Sequence, residues 1–328
     1  VKKRNQIFTL LLTVVFFAVF NLSLYGLFTR RLSNNFSGAT RAQMIDVGRF
    51  LPHAEGSDLP KIDTSFKLDG DLPVLDGAAA LLPVYAAVID TAYPEGCVTF
   101  EGGAFSDDNF YGENFADDSA MQYNNTVRGY QAVVDGTTDI FFSAAPSEAQ
   151  KQYAEEKGVE LRFVPIGLEA FVFFVNQNNP ADNLTADQIR KIYAGEHKNW
   201  SEVGGANRII NPITRLEGSG SQTAFEGFMG DCEIGQKSPF AIAGASIGFS
   251  FRYYMDGIVE NDNVKMLSLN GVYPSAENIR SRSYPIVTEF YAIYRADNDN
   301  KNIPVLIDWL LSKEGQKLIE ESGYVPIA

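Results

Sequence analysis

From about Leu72 onward, short apolar runs alternate with helix-period patterns, and that alternation restricts the chain to an α/β architecture. Leu72 to Leu75 reads as a strand followed by a helix over Pro83 to Tyr93, Val98 to Phe100 as a further strand, and Asp139 to Phe142 as a strand before a helix over Ser147 to Lys157. The unbroken apolar run Ala170 to Val175 has no polar face to give to solvent, so it belongs in the middle of a sheet. Two helix starts carry capping boxes, Ser147 with Gln150 and Thr185 with Gln188. In each, a hydroxyl and a glutamine three residues on satisfy backbone amides reciprocally. Ile303 to Ser322 repeats apolar residues at helical spacing and stops at Gly323, which predicts a closing amphipathic helix.

A segment of another kind precedes this body. Lys2, Lys3 and Arg4 lead into an uncharged run from Ile7 to Phe28, about 33 Å long as a helix and enough to cross a bilayer's hydrocarbon core. Arg30 and Arg31 follow directly, so residues 1–31 read as an uncleaved signal anchor, a single-pass membrane helix that leaves the remainder outside the cytoplasm. Cleavage at Ser37-Gly38-Ala39 is the alternative. Residues 32–71 are polar and broken by Asn34-Asn35, Pro52 and Pro60, as in a tether or loosely packed lead-in.

Charge and the rarer residues narrow the function. Residues 1–43 hold six of the 27 Lys and Arg and none of the 41 Asp and Glu, which leaves a formal charge of −20 on the rest. Such a body repels nucleic acid and acidic membrane surfaces, so any anion it binds must be captured by a local site. His53 and His197 are the only histidines, and neither stands in metal-ligand spacing. No metal, no cofactor and no histidine-based triad is expected, which argues against an enzyme. Cys97 and Cys232 are the only cysteines; one disulfide and two separate thiols are both compatible with their positions.

The segment Thr214-Arg215-Leu216-Glu217-Gly218-Ser219-Gly220-Ser221-Gln222 carries the most chemistry. Its glycines let backbone approach a ligand, and Ser219 and Ser221 place hydroxyls beside amides left unpaired at a helix start, where an anion also meets the favourable end of the helix dipole. Arg215 adds a planar, permanently charged fork, and Glu217 is positioned to orient it. The same Gly-Ser-Gly-Ser pattern also suits an ordinary flexible loop. A hydrolase using Ser219 or Ser221 lacks an evident base, and the Gly-x-Ser-x-Gly elbow is absent.

Arg215 with Glu217-Gly218-Ser219-Gly220-Ser221 resembles the anion-binding segment of the phosphate-binding proteins of ABC uptake systems, of the type II periplasmic-binding-protein-like family. Further similar blocks follow the same order: Asp76-Gly77-Ala78-Ala79-Ala80 with Pro83-Val84-Tyr85, Gly136-Thr137-Thr138-Asp139-Ile140, Asn199-Trp200 with Gly204-Gly205, and Ser246-Ile247-Gly248-Phe249. The resemblance covers about residues 72 to 328. It implies a two-lobed α/β fold with an interlobe cleft, one lobe of 72–165 plus 285–328 and another of 166–284. It also implies phosphate or a similar oxyanion as ligand, ABC permease subunits as partners, and a ligand set of Ala79, Ala80, Thr126, Ser143, Arg215, Ser219, Gly220 and Ser221.

Two departures stand out: Ala79 replaces a hydroxyl-bearing residue of the family, and Ala144 falls where the family has the aspartate that accepts a phosphate proton. Ser143, Glu169 and Arg128 are the candidates to compensate, their positions in space not being given by the sequence. The same departures support an alternative, a transport-inactive sensor or scaffold ectodomain that keeps the fold and has lost phosphate specificity.

Overall fold

The computed structural model describes residues 45–102, 115–215, 217–235, 245–259 and 262–327. Two compact units divide the chain, Val1–Ile45 and Asp46–Ala328, and the sheet with its helices lies in the second. The expected membrane anchor at 1–31 lies outside the described residues. Among those described, no helix is long and apolar enough to cross a membrane.

The strand order is set by one long element. Strand β1 is Leu75–Gly77, β2 Ile140–Ala144, β3 Leu161–Asn176, β4 Asn183–Leu184, β5 Ile210–Pro212, β6 Ala245–Phe251, β7 Val264–Met266, β8 Ser268–Leu269, β9 Val287–Arg295 and β10 Val325–Pro326. Among the described residues, eight of these join in one sheet along the path β1-β2-β9-β3-β6-β5, with β7 and β10 also paired to β3. The first part of β3, Leu161 to Ala170, pairs antiparallel with β9, whereas Phe171 to Val175 pairs antiparallel with β6. A register shift between Pro165 and Gly167 bends the strand where proline withholds a donor. The apolar run Ala170–Val175 is thus the stretch in which β3 changes partner. Its Phe171, Val172, Phe173 and Val175 are buried, as expected for a central strand covered on both faces.

Helices cover both ends of this sheet. They are α1 Leu82–Ala92, α2 Asn125–Asp135, α3 Glu148–Lys157, α4 Ala186–Tyr193, α5 Gly220–Met229, α6 Ala276–Arg280, α7 Asn302–Leu311 and α8 Lys313–Glu321. Both predicted capping boxes are formed, at Ser147 and Gln150 and at Thr185 and Gln188. Next to β6, the Phe225 and Phe249 rings stack with centroids 4.2 Å apart, which seats α5 on the sheet. Trp200 is buried and donates from Nε1 to the Ala245 carbonyl at 2.9 Å, so it is a packing element.

Three expectations change. The closing amphipathic helix is two helices: Ser312 ends α7 and caps α8, its hydroxyl accepting from the Gly315 amide at 3.3 Å. A Cβ at Gly315 would stand 2.2 Å from the Trp309 carbonyl oxygen, so only glycine permits the corner. Among the described residues, Val98 to Phe100 makes only an isolated bridge, Phe100 to Phe115. Finally, residues 46–71 are closely packed: Val47, Phe50, Leu59 and Leu68 are buried, and Phe66 stacks on Trp309 at 4.7 Å. Scattered apolar residues let this polar stretch bind as a belt across α1 and α7, a pattern that has no period to read.

Candidate anion site

The first half of the site is a turn that β1 delivers. Gly77 packs so closely on the Tyr85 ring that a Cβ there would lie 2.5 Å from it. The Ala78 amide extends the sheet by donating to the Phe142 carbonyl at 2.8 Å, and the chain then coils into a 3-10 turn at Ala79–Leu81. Alongside, α2 opens at Asn125, whose φ is +59°. The Asn125 carboxamide oxygen accepts from the Ala79 amide at 3.3 Å, the Thr126 amide at 2.7 Å and the Thr126 hydroxyl at 3.3 Å. Ala79 and Thr126, distant in sequence, thus point donors at one atom.

Asp76 holds this arrangement from behind. It is fully buried and accepts from the Gly77 amide at 2.7 Å, the Asn124 amide at 2.9 Å and the Asn124 side chain at 2.8 Å. Burial pushes its carboxyl up to about 6, although these donors pull the other way.

The second half comes from α5. Ser219 is its N-cap, accepting from the Gln222 amide at 3.3 Å, which leaves the hydroxyl proton available to a ligand. The amides of Gly220 and Ser221 open the helix and have no intrahelical acceptor. The Arg215 amide is tied to the same turn through Gln222 Oε1 at 3.0 Å. Its guanidinium lies over the Tyr254 ring, 5.9 Å from the ring centre. Burial raises the phenols of Tyr254 and the neighbouring Tyr123 above their ordinary range, the Arg215 charge partly offsetting this at Tyr254; both stay neutral donors at neutral pH. Arg215 makes no ion pair among the described residues. The expected Arg215–Glu217 contact is likewise not among them, and Glu217 is exposed.

The two halves meet. A Cβ on Gly220 would be 3.8 Å from Thr126 Oγ1, and one on Gly218, at φ +79°, would be 3.2 Å from Val127. The start of α5 thus lies in van der Waals reach of the start of α2, and Gly218, with its left-handed φ and its closeness to Val127, is the position that favours glycine. Of the remaining candidates, the Ala80 carbonyl accepts from the Tyr324 hydroxyl. Ser143 is buried on β2 and bonds no other candidate among the described residues. Ala144 pairs with Phe290 in the sheet.

Glu169 does not fill the gap left at Ala144. Its oxygens accept from the Ala170 amide at 2.8 Å and the Tyr253 amide at 3.2 Å and face Arg252 Nε at 3.5 Å. Arg128 is exposed on α2. Cys97 and Cys232 are free thiols, and no group of His, Cys, Asp or Glu among the described residues is arranged to hold a metal. Asn125 and Tyr254 escaped sequence reading, and Asp76 enters it only as part of a similar block. Asn124-Asn125 resembles any polar turn, and Tyr254 lies far along the chain within an aromatic cluster that reads as core.

A mixed α/β sheet in which one long strand carries two sets of partners defines the class as a periplasmic-binding-protein-like fold. The family model for the PBP superfamily domain matches residues 108–314, and the chain belongs to that superfamily. Among curated relatives, it is 27% identical over 233 residues to the phosphate-binding protein PstS of Bacillus subtilis, covering 67% of this chain and 75% of the relative. It is 25% identical over 293 residues to the protein SphX of Synechococcus elongatus, covering 78% and 86%. A solved structure from Clostridium perfringens, assigned as a phosphate ABC transporter substrate-binding protein with bound phosphate, matches with a TM-score of 0.57 at 23% identity, covering 77% of this chain and 98% of that one. An ABC-type phosphate transport receptor from Vibrio cholerae matches with a TM-score of 0.52 at 20% identity, covering 76% and 98%.

Proposed function

We propose that this chain binds inorganic phosphate, or a similar small oxyanion, outside the cytoplasm and delivers it to an ABC permease, acting as a receptor and not as an enzyme. The observation that carries this reading is the meeting of two helix starts, Gly220 of α5 against Thr126 of α2. Each start presents amides that have no intrahelical acceptor, together with the positive end of a helix dipole. Two such ends brought together repel each other, and an anion between them turns the repulsion into attraction. Arg215 stands beside the second start, engaged with Tyr254 and with no carboxylate among the described residues. The relatives named as phosphate-binding proteins support the same ligand.

In this reading Ala79, Ala80 and Thr126 donate from a lobe of 72–165 plus 285–328. Arg215, Ser219, Gly220 and Ser221 donate from a lobe of 166–284, and Ser143 backs the seat. Residues 1–31 hold the binding domain to the membrane. Excluding water as the lobes close strengthens every bond to the anion. With alanine at 144, the protein lacks the carboxylate that separates a protonated phosphate from sulfate, so the two anions compete more evenly than in relatives that keep it.

Calorimetric titration of the purified full chain with phosphate, and separately with sulfate, tests the reading. Saturable binding is expected. A hundredfold excess of phosphate over Kd should stabilise the fold by about 2.7 kcal/mol, seen as a higher Tm. Absence of both heat and stabilisation with phosphate, sulfate and arsenate overturns the proposal.

A further inference from the structure

We infer that Asn125 is an internal competitor for the anion: its carboxamide oxygen occupies the place of one ligand oxygen and must swing out when the anion enters. The inference rests on the oxyanion reading of this site and adds a residue that sets its affinity.

Three donors from two separate elements converge on this single oxygen: the Ala79 amide, the Thr126 amide and the Thr126 hydroxyl. Convergence of that kind is the coordination an oxyanion oxygen receives, and a carboxamide oxygen, with its partial negative charge, imitates it. The alternative amide orientation would place an NH2 group against the two backbone amides, which can only donate, so the acceptor must be the oxygen.

The surroundings fit a displaceable occupant. Asn124 is clamped to buried Asp76 by its amide at 2.9 Å and its side chain at 2.8 Å, which fixes the backbone leading into Asn125. Asn125 itself is only half-buried and holds a left-handed φ of +59°. Asparagine tolerates that conformation, though less readily than glycine. The start of α5 lies just beyond, with Gly220 against Thr126, so the seat held by the carboxamide borders the donors of both halves. A charged oxygen makes stronger bonds to the same donors than a neutral carboxamide does, so an anion wins the seat at the expense of the Asn125 bonds.

Two substitutions of opposite sense test this, each measured by calorimetric titration of the full chain with inorganic phosphate. Asn125→Gly removes the competitor and suits the backbone, and is expected to tighten phosphate binding on the order of tenfold, the worth of about one neutral hydrogen bond. Asn125→Asp leaves a charged oxygen in the seat and is expected to weaken binding on the order of a hundredfold. A cooperative thermal transition in each variant confirms that it is folded.

If wild type binds phosphate and Asn125→Gly binds it no better or worse, the competitor is refuted while the phosphate reading stands. Phosphate binding by Asn125→Gly alone supports the competitor strongly. Failure of both wild type and Asn125→Gly to bind phosphate overturns both. Amide exchange without phosphate gives an independent readout, since Ala79 and Thr126 should lose protection in Asn125→Gly. Unchanged protection would mean that the carboxamide does not hold them.

Discussion

Arg215 brings the one full positive charge to a cluster otherwise made of amides and hydroxyls. Its amide is tied to Gln222 and its guanidinium lies over the Tyr254 ring, so its range of positions is narrowed before any ligand arrives. Preorganisation of that kind lowers the entropy lost on binding. Each charge-assisted hydrogen bond is worth about 1.5–3 kcal/mol, so Arg215→Ala should weaken phosphate binding by about one to two powers of ten in a calorimetric titration. Arg215→Lys should fall between the two, because it restores charge but neither the bidentate fork nor the contact with the Tyr254 ring. Because Arg215 is only half-buried and pairs with no carboxylate among the described residues, both variants should keep the wild-type Tm without ligand. Its candidacy as an anion donor could be read in the sequence from residue type and neighbours. Its orientation by Tyr254 was not, since nothing near Arg215 in the chain announces that partner.

At the level of elements, β3 is where the two sets of strands join, and Glu169 sits at that junction, one residue before the partner changes from β9 to β6. Burial pushes its carboxyl up to about 7, more than Arg252 and the amides of Ala170 and Tyr253 pull it down. The Arg252 Nε atom, at 3.5 Å, is too far for a good hydrogen bond and finds no other partner. The folded state therefore holds the Glu169 proton more tightly than the unfolded chain, whose carboxyl titrates near 4.5. Stability from this group is complete below 4.5 and is lost as pH rises through about 7. Denaturant midpoints measured across that window should fall for wild type and stay flatter for Glu169→Gln, the difference reaching about 3 kcal/mol at most. Glutamine still accepts from the Ala170 amide, and Arg252 keeps Asp256 at 3.8 Å. Equal slopes in the two proteins would show that Glu169 titrates normally.

For the molecule as a whole, the governing fact is a formal charge of −14 on a protein proposed to capture an anion. The field at long range opposes approach, and only the last few ångströms favour it. Added salt screens the long-range part over about 10 Å at 0.1 M while leaving the enclosed contacts nearly untouched. Stopped-flow association of phosphate should therefore quicken with ionic strength, by about twofold from low to physiological salt, the reverse of an electrostatically steered encounter. Slowing by salt would mean that positive potential extends well beyond Arg215.

The sequence by itself determined most of the elements and the donors they carry. Strand hydrophobicity, capping boxes and glycine-serine turns act through neighbours within a few residues, so Ala170–Val175, Ser147 with Gln150, and Ser219 ahead of α5 could all be read from the chain. Tertiary structure alone decided that the start of α5 faces the start of α2, that Asn125 gathers the Ala79 and Thr126 donors, and that Tyr254 holds Arg215. Those pairings result from the register of β3 against β9 on one side and β6 on the other. Contacts made across a sheet between distant segments leave no periodicity in the residues that make them.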